Sequence, residues 1–150
     1  MKLEFSGSPV IAAPRERVWQ HLMDPHFVAQ STPGVESVEA LDSTRFRVIS
    51  GFGAGSVRIR FPMDVELFDI VKGKSARMRL RGAAAGSTIE VVSNIRIGDA
   101  GTGSSQLHWS ATSEISGTVA NIGARIMEAT ARKLTERFWS DFARRASEGP

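Results

Sequence analysis

Apolar and polar residues alternate through the middle of the chain. Between Val57 and Leu67 every second residue is apolar, and the residues between them are arginine, proline, aspartate and glutamate. This period of two is typical of a β-strand that buries one face and exposes the other. The same alternation recurs in four other segments, at 45–48, 77–81, 89–91 and 106–115. The pattern predicts an antiparallel sheet with one apolar face and one charged face.

The N-terminal part of the chain predicts a strand followed by two short helices. Residues 2–11 form the expected first strand, and Pro14 occupies a favourable first position for a helix. Asp24 and Pro25 repeat the start signal, an N-cap acid before a proline, for a second helix that ends before Pro33.

A long amphipathic helix is predicted at the C-terminus. It begins near Thr118 and runs to Ala146, about 29 residues or about 43 Å at the helical rise. Its expected packing stripe has three- and four-residue spacing and consists of Val119, Ile122, Ile126, Thr130, Leu134, Phe138 and Phe142. A curved sheet needs its apolar face covered, and this helix is the only long amphipathic cover.

The order of these elements predicts an α+β helix-grip fold. In this fold a curved antiparallel sheet of about seven strands surrounds the long C-terminal helix, and two short helices follow the first strand. The absence of repeats and of linker-like composition indicates one domain over residues 1–150. A curved sheet and a straight helix cannot meet along their whole length, so we expect an internal space between them.

Composition removes several kinds of chemistry from consideration. The 150 residues include no cysteine, which excludes disulfides, thiolate metal sites and cysteine nucleophiles. His21, His26 and His108 have no second ligand at helical or strand spacing, so we expect neither a metal nor another cofactor. The pI of about 9.9 accompanies a formal net charge of only +3, and no nucleic-acid partner is expected.

Neither a signal peptide nor a transmembrane segment is expected. Gly7 and Pro9 interrupt the N-terminal apolar residues, and no stretch approaches the roughly 20 apolar residues that cross a bilayer. We therefore expect a cytoplasmic protein. Transient, peripheral contact with the inner membrane face is compatible with that expectation.

Two segments allow more than one interpretation. Residues 51–55 are rich in glycine, but they lie between predicted strands and open no helix, so a hairpin or bulge is favoured over a phosphate-binding loop. The charged sheet face carries many arginines, and pairing with acids on neighbouring strands is favoured over binding of an acidic partner protein. The arginines are Arg45, Arg47, Arg58, Arg60, Arg77, Arg79 and Arg81.

The apolar face of the sheet and the facing side of the helix supply the candidate ligand contacts. They are Phe61, Met63, Met78, Leu80, Val91, Trp109, Ile122, Ile126, Met127 and Thr130. These residues either form packed core or line a pocket. A pocket is favoured because three of them are methionines, whose flexible side chains adapt to apolar molecules of varied shape. No catalytic residue is predicted.

Two blocks of sequence resemble the CoxG family of carbon monoxide dehydrogenase subunits, which belongs to the START and Bet v 1-like superfamily. Residues 13–25 are similar to that family's V-W-x-x-L-x-D-P segment, and residues 33–36 to the P-G-x-E that follows it. Residues 123–138 are similar to its C-terminal helix. The resemblance implies an internal cavity for lipids, quinones or similar molecules, and service to a molybdenum-containing enzyme of the carbon monoxide dehydrogenase type.

The predicted function is binding or carriage of an apolar small molecule, such as a quinone or lipid, without chemistry. The partner implied by the resemblance is a molybdenum hydroxylase-type enzyme. A first alternative is a polyketide cyclase-like enzyme, for which Thr130, Ser93, Ser113 and Trp109 are the interior polar candidates. A serine or threonine without a base is a poor catalyst, however. A second alternative is an interaction module that acts through the arginine-rich face.

Overall fold

One antiparallel sheet and three helices make up the part of the chain that the computed structural model describes, which is residues 1–54, 57–84, 86–118 and 123–148. The strands are β1 (Lys2–Gly7), β2 (Val10–Ile11), β3 (Val35–Ala40), β4 (Arg45–Ala54), β5 (Val57–Val71), β6 (Ser75–Ala84), β7 (Ser87–Asp99) and β8 (Ser105–Gly117). The helices are α1 (Arg15–Leu22), α2 (Pro25–Ser31) and α3 (Ala124–Ser147). Along the sheet the strands lie in the order β1-β8-β7-β6-β5-β4-β3, and β2 also pairs with β8. The predicted helix-grip fold is confirmed.

The expected first strand is divided in two. β1 ends at Gly7, opposite Trp109, and β2 resumes at Val10, opposite Gln106. Pro9 lies in the gap, and it lacks the N–H group that a continuous ladder requires. The prediction of one strand over residues 2–11 was therefore right about the two extended segments and wrong about their continuity.

The structure contains the two paired strands of the hairpin that was predicted at the glycine-rich segment. β4 and β5 pair in register from Arg45 opposite Glu66 to Ala54 opposite Val57. Gly51 and Gly53 are ladder residues of β4, whereas Gly55 lies outside the described residues. Strand pairing along this segment supports the hairpin interpretation over a phosphate loop.

The outer face of the sheet carries the predicted ion pairs. Arg47 lies 3.3 Å from Asp64, and Arg81 donates to Glu90 at 2.8 Å. Arg60 also lies near an acid of a neighbouring element, 3.0 Å from Glu36. Most of these side chains are well exposed, so each pair contributes little to stability. Arg47 and Arg81 thus pair with acids on neighbouring strands of the same face, as the sequence pattern favoured, and the side chain of Arg58 lies outside the described residues.

The tightly packed core lies at one end of the sheet. There α1, α2 and the C-terminal half of α3 cover β2 and the adjoining ends of β7 and β8. Phe142 is completely buried, and its ring meets Phe27 edge-on at 5.4 Å between centroids. Arg145 ties α2 to α3, donating to the Phe27 carbonyl at 3.0 Å and to Ser31 Oγ at 2.8 Å. This end of the fold is a solid apolar core.

The C-terminal helix begins later than predicted. α3 starts at Ala124, where Gly123 is the N-cap with φ +111° and no side-chain cap. Gly117, also with positive φ, ends β8. Residues 119–122 lie outside the described residues, and with them the predicted stripe positions Val119 and Ile122. The predicted start near Thr118 was therefore too early.

Candidate functional site

The two halves of α3 differ in how closely the rest of the chain covers them. In the C-terminal half Phe142 and Ala146 are completely buried. From Arg125 to Lys133 every residue is exposed apart from Met127 and Ala131, which are half-buried. We call the region between this N-terminal half of α3 and the inner face of β5 to β8 the interval.

The sheet side of the interval is apolar and incompletely buried. Val65, Leu80 and Val91 lie opposite one another on β5, β6 and β7 and all point inward, yet all three are half-buried. The neighbouring inward pair Leu67 and Met78 is half-buried too. At the packed end, by contrast, the inward-pointing residues Ile97 and Leu107 are buried. The inner face therefore retains accessible apolar surface beside α3.

The sheet brings six of the predicted ligand contacts onto this inner face. Phe61 and Met63 are buried, at 5% and 6% exposure, at the end of the sheet away from the packed core. Met78, Leu80, Val91 and Trp109 are half-buried, and Leu80 lies directly opposite Val91. On the helix side Met127 is half-buried as well.

Glycines allow two of these side chains to lie flat against the sheet. Gly82 is opposite Met63, whose Cγ lies 2.6 Å from where a Cβ on Gly82 would be. Gly7 is opposite Trp109, whose Nε1 lies 2.7 Å from the corresponding Cβ position. Trp109 also stacks on Trp139 of α3 at 5.7 Å between ring centroids. The two tryptophans separate the interval from the packed core.

Ile126 and Thr130 do not lie on the packed stripe of α3. Ile126 is 59% exposed, and Thr130 is exposed too. Steps of four residues advance an α-helix about 40° beyond a full turn, so four such steps from Ile126 to Phe142 rotate the direction by about 160°. The expected stripe through Ile126 and Thr130 was therefore wrong. Contact with a ligand, for these two as for the other predicted residues, stays a prediction, and Ile122 lies outside the described residues.

Sequence reasoning missed two residues that line α3 at the interval. Ala131 and Thr135 are half-buried and share the direction of Met127 and Phe142, as does Leu134, which was already on the predicted stripe. The signal was present in the sequence, since a stripe traced backwards from Phe142 in 3.6-residue turns passes through these positions. Ala131 was overlooked because alanine is small and contributes little to a hydrophobic pattern.

The interval is electrically neutral. Beside the N-terminal half of α3, the described inner-face side chains of β5 to β8 carry no titratable group, whereas Asp99, on the same face of β7 at the packed end, lies 3.9 Å from Arg15. Arg132 marks the rim, with its guanidinium 5.3 Å from the Phe5 ring centroid and 3.0 Å from Glu128. His21 belongs to the packed end, where burial, with Arg17 nearby, lowers the pKa of its imidazole. The interval can bury apolar groups and can form hydrogen bonds through hydroxyl groups.

Two surface depressions lie outside the interval. One of about 420 Å³ follows the exposed side of α3 along Glu128, Arg132 and Lys133. The other, about 660 Å³, lies on the outer sheet face and includes Arg47 and Glu90. Both are open to solvent, and charged residues supply five of the seven described lining residues of the first and five of the eleven of the second, which suits water better than an apolar molecule.

Metal ligands and membrane spans were sought among the described residues. In that part of the chain no three histidine, aspartate or glutamate side chains are grouped closely enough to hold a metal ion. None of the described helices combines the length and the apolar character that crossing a bilayer requires.

Comparison with known proteins identifies relatives of this chain. The model of the CoxG family, a family of carbon monoxide dehydrogenase subunits, matches residues 7–147. A conserved protein from Geobacillus kaustophilus has a similar structure, with a TM-score of 0.88 and 22% identity over 97% of this chain and 96% of that chain. A START superfamily protein from Mycobacterium smegmatis gives a TM-score of 0.72 at 13% identity over 97% of each chain.

A further solved structure extends the likeness to Bet v 1-like proteins. Ara h 8.0201 gives a TM-score of 0.68 at 11% identity, over 99% of this chain and all of that chain. At such identities the structural likeness shows the fold alone. No protein of curated function matches the chain in sequence.

Proposed function

Because the chain belongs to the CoxG family of carbon monoxide dehydrogenase subunits, we propose that it binds an apolar small molecule in the interval and carries it without transforming it. The single observation that carries this proposal is the half-buried apolar wall of Val65, Met78, Leu80 and Val91 facing the loosely covered half of α3. The START-like fold supports it.

Burial of apolar ligand surface is sufficient to supply the affinity of the protein for its ligand. Removing about 200 Å² of apolar ligand surface from water contributes about 5 kcal/mol, before the cost of association is subtracted. Methionines at positions 63, 78 and 127 adapt to the outline of the ligand. The ligand class is a quinone, a lipid or a molecule of similar apolar character.

The lack of charge on the described inner-face side chains at the interval supports a carrier rather than a cyclase-like enzyme. Acid–base catalysis requires a titratable group within hydrogen-bond reach of the substrate. Ser93 and Ser113 face the interval, but no described inner-face side chain beside them on β4 to β8 is a base. Thr130, the other hydroxyl considered for catalysis, is exposed on α3.

Filling the interval from the helix side tests the proposal. Ala131→Trp places an indole on the inward side of α3, and we expect it to weaken binding of the neutral dye N-phenyl-1-naphthylamine by about tenfold or more, because it takes the volume that the dye would occupy. The matched control is Ala129→Trp, which makes the same change on the exposed side of the same helix. Fluorescence titration measures both, and thermal melts check folding.

Dye binding by the wild-type protein and the two variants decides whether the interval is a ligand site. The wild-type protein and Ala129→Trp should bind the dye with equal affinity, and all three proteins should melt within a few degrees of one another. Undiminished binding by Ala131→Trp, or no binding by the wild-type protein, would show that the interval is not a ligand site.

The proposed partner is a molybdenum enzyme of the carbon monoxide dehydrogenase type. The family match over residues 7–147 supports this assignment. Mixed at about 50 µM, a concentration at which micromolar complexes form, the chain should bind that enzyme from its own cells in native mass spectrometry. A xanthine oxidase from another source is the control. If no complex forms, the proposed partner is wrong, whereas the proposal that the protein binds a ligand is unaffected.

A further inference from the structure

Two serine hydroxyl groups lie on the inner wall of the interval. Ser93 of β7 is opposite Met78 on one side and Ala111 on the other. Ser113 of β8 is opposite Val91, two residues before Ser93, so the two serines are diagonal neighbours. Diagonal Cβ atoms on paired strands lie about 7 Å apart. Both serines point inward and both are half-buried.

Neither hydroxyl group has a hydrogen-bond partner within the described part of the protein. Ser105, on the same inner face of β8, is completely buried and donates to the Ala13 carbonyl at 2.6 Å. In that same part of the chain no fully buried side-chain oxygen or nitrogen lacks a hydrogen bond. The Ser93 and Ser113 hydroxyls must therefore reach accessible space, because sealing them in apolar surroundings would cost about 1–3 kcal/mol each.

We infer that Ser93 and Ser113 form a polar subsite for a neutral oxygen-bearing group of the ligand, a carbonyl or a hydroxyl. This inference rests on the proposed function. A serine hydroxyl both donates and accepts hydrogen bonds, so it recognises either group. The ligand is accordingly an apolar molecule with an oxygen function, and a plain hydrocarbon is the poorer fit.

The absence of a cation from the described inner face disfavours a carboxylate at this subsite. A buried carboxylate needs a positive partner or several strong donors, and its desolvation is otherwise too costly. Arg132, the nearest cation at the rim, is engaged with Glu128 and the Phe5 ring. Fatty acids in their ionised form are therefore disfavoured against ketones, quinones and alcohols.

A matched pair of ligands tests the subsite. Fluorene and 9-fluorenone share one ring frame and differ by a single carbonyl oxygen. We expect the wild-type protein to bind 9-fluorenone about fivefold more tightly than fluorene, the range that one or two net hydrogen bonds supply. The double variant Ser93→Ala, Ser113→Ala should lose this preference while its affinity for fluorene stays the same. Isothermal titration calorimetry measures both affinities.

Two further measurements complete the design. Ser6→Ala removes an exposed hydroxyl of β1 and should leave the preference unchanged. Fluorene-9-carboxylate should bind the wild-type protein more weakly than 9-fluorenone, and tighter binding would overturn the assignment of a neutral group. Thermal melts confirm that the alanine variants are folded.

The possible failures are distinguishable. If the wild-type protein binds neither fluorene nor 9-fluorenone, the proposed function fails and the subsite with it. If it binds both equally, or if the double alanine variant keeps the preference, the subsite is wrong and the proposed function stands. Loss of fluorene affinity in the double variant would mean that the serines maintain the shape of the apolar wall. That result would overturn their role in recognising an oxygen-bearing group.

Discussion

Replacing Phe142 with alanine is expected to lower the free energy of unfolding by about 3–5 kcal/mol. The side chain is completely buried, and its ring is in contact with Phe27, Phe138 and Trp139. These neighbours belong to two helices that meet at the packed end of the sheet, so they cannot close together over the lost volume. Chemical denaturation with a fluorescence readout measures the loss.

A control on the same helix separates packing from helix propensity. Ile126→Ala also shortens an apolar side chain of α3, but Ile126 is 59% exposed, so a change within about 0.5 kcal/mol is expected. Equal losses for Phe142→Ala and Ile126→Ala would contradict the assignment of the core to the C-terminal half of α3.

Alanine at Gly117 is expected to destabilise the protein by about 2–4 kcal/mol. Gly117 has φ +91°, and a Cβ there would lie 2.1 Å from the Gly86 carbonyl oxygen and 2.9 Å from Ser87 Cα. Both obstacles are backbone atoms, one in the turn before β7 and one in β7 itself, so no side-chain rotation relieves them. The last pair of the β7–β8 ladder, Ser87 with Gly117, would have to open.

Gly101 offers a matched comparison, because its φ of +87° is nearly the same and nothing lies within 4 Å of its Cβ position. Gly101→Ala therefore measures the conformational cost alone, about 1 kcal/mol. The difference between the two variants in chemical denaturation gives the cost of the close approach at Gly117. A difference of zero would mean that β7 and β8 separate at Gly117 without loss of stability.

Together these variants separate stability from binding along α3. Phe142→Ala should weaken the fold, whereas Ala131→Trp should weaken ligand binding and leave the melting temperature nearly unchanged. The bulky residues Phe138, Trp139 and Phe142 lie in one half of the helix, and the small residues Gly123 and Ala131 in the other. Such a division allows a protein to keep a solid core and still leave volume for a ligand.

The alternation of apolar and polar residues does not predict every feature of the sheet. β5 continues to Val71 through an irregularity after Phe68, where Asp69 has φ +49°. An extra residue at such a bulge reverses the alternation, so Val71 pairs with Ser75 of the outer face and is 51% exposed. Aspartate adopts a positive φ more readily than most residues, but a single aspartate in an alternating pattern does not by itself mark a bulge.

The sequence by itself determined the element order, the helix-grip fold and the inward direction of residues such as Met63, Leu80 and Trp109. A strand's side chains alternate with a period of two, so their direction follows from the sequence once a single residue is placed. Motifs at both ends of the chain also carried the family resemblance, which the match over residues 7–147 confirms.

Only the tertiary structure decided which side of α3 faces the sheet and where the core gives way to the interval. A helix turns every 3.6 residues, so a stripe traced at four-residue spacing drifts, and Ile126 and Thr130 were assigned to the wrong side. Whether Ser93 and Ser113 have partners depends on residues remote in sequence that the fold brings near. Packing density and hydrogen-bond partners arise from such long-range neighbours, and no local pattern encodes them.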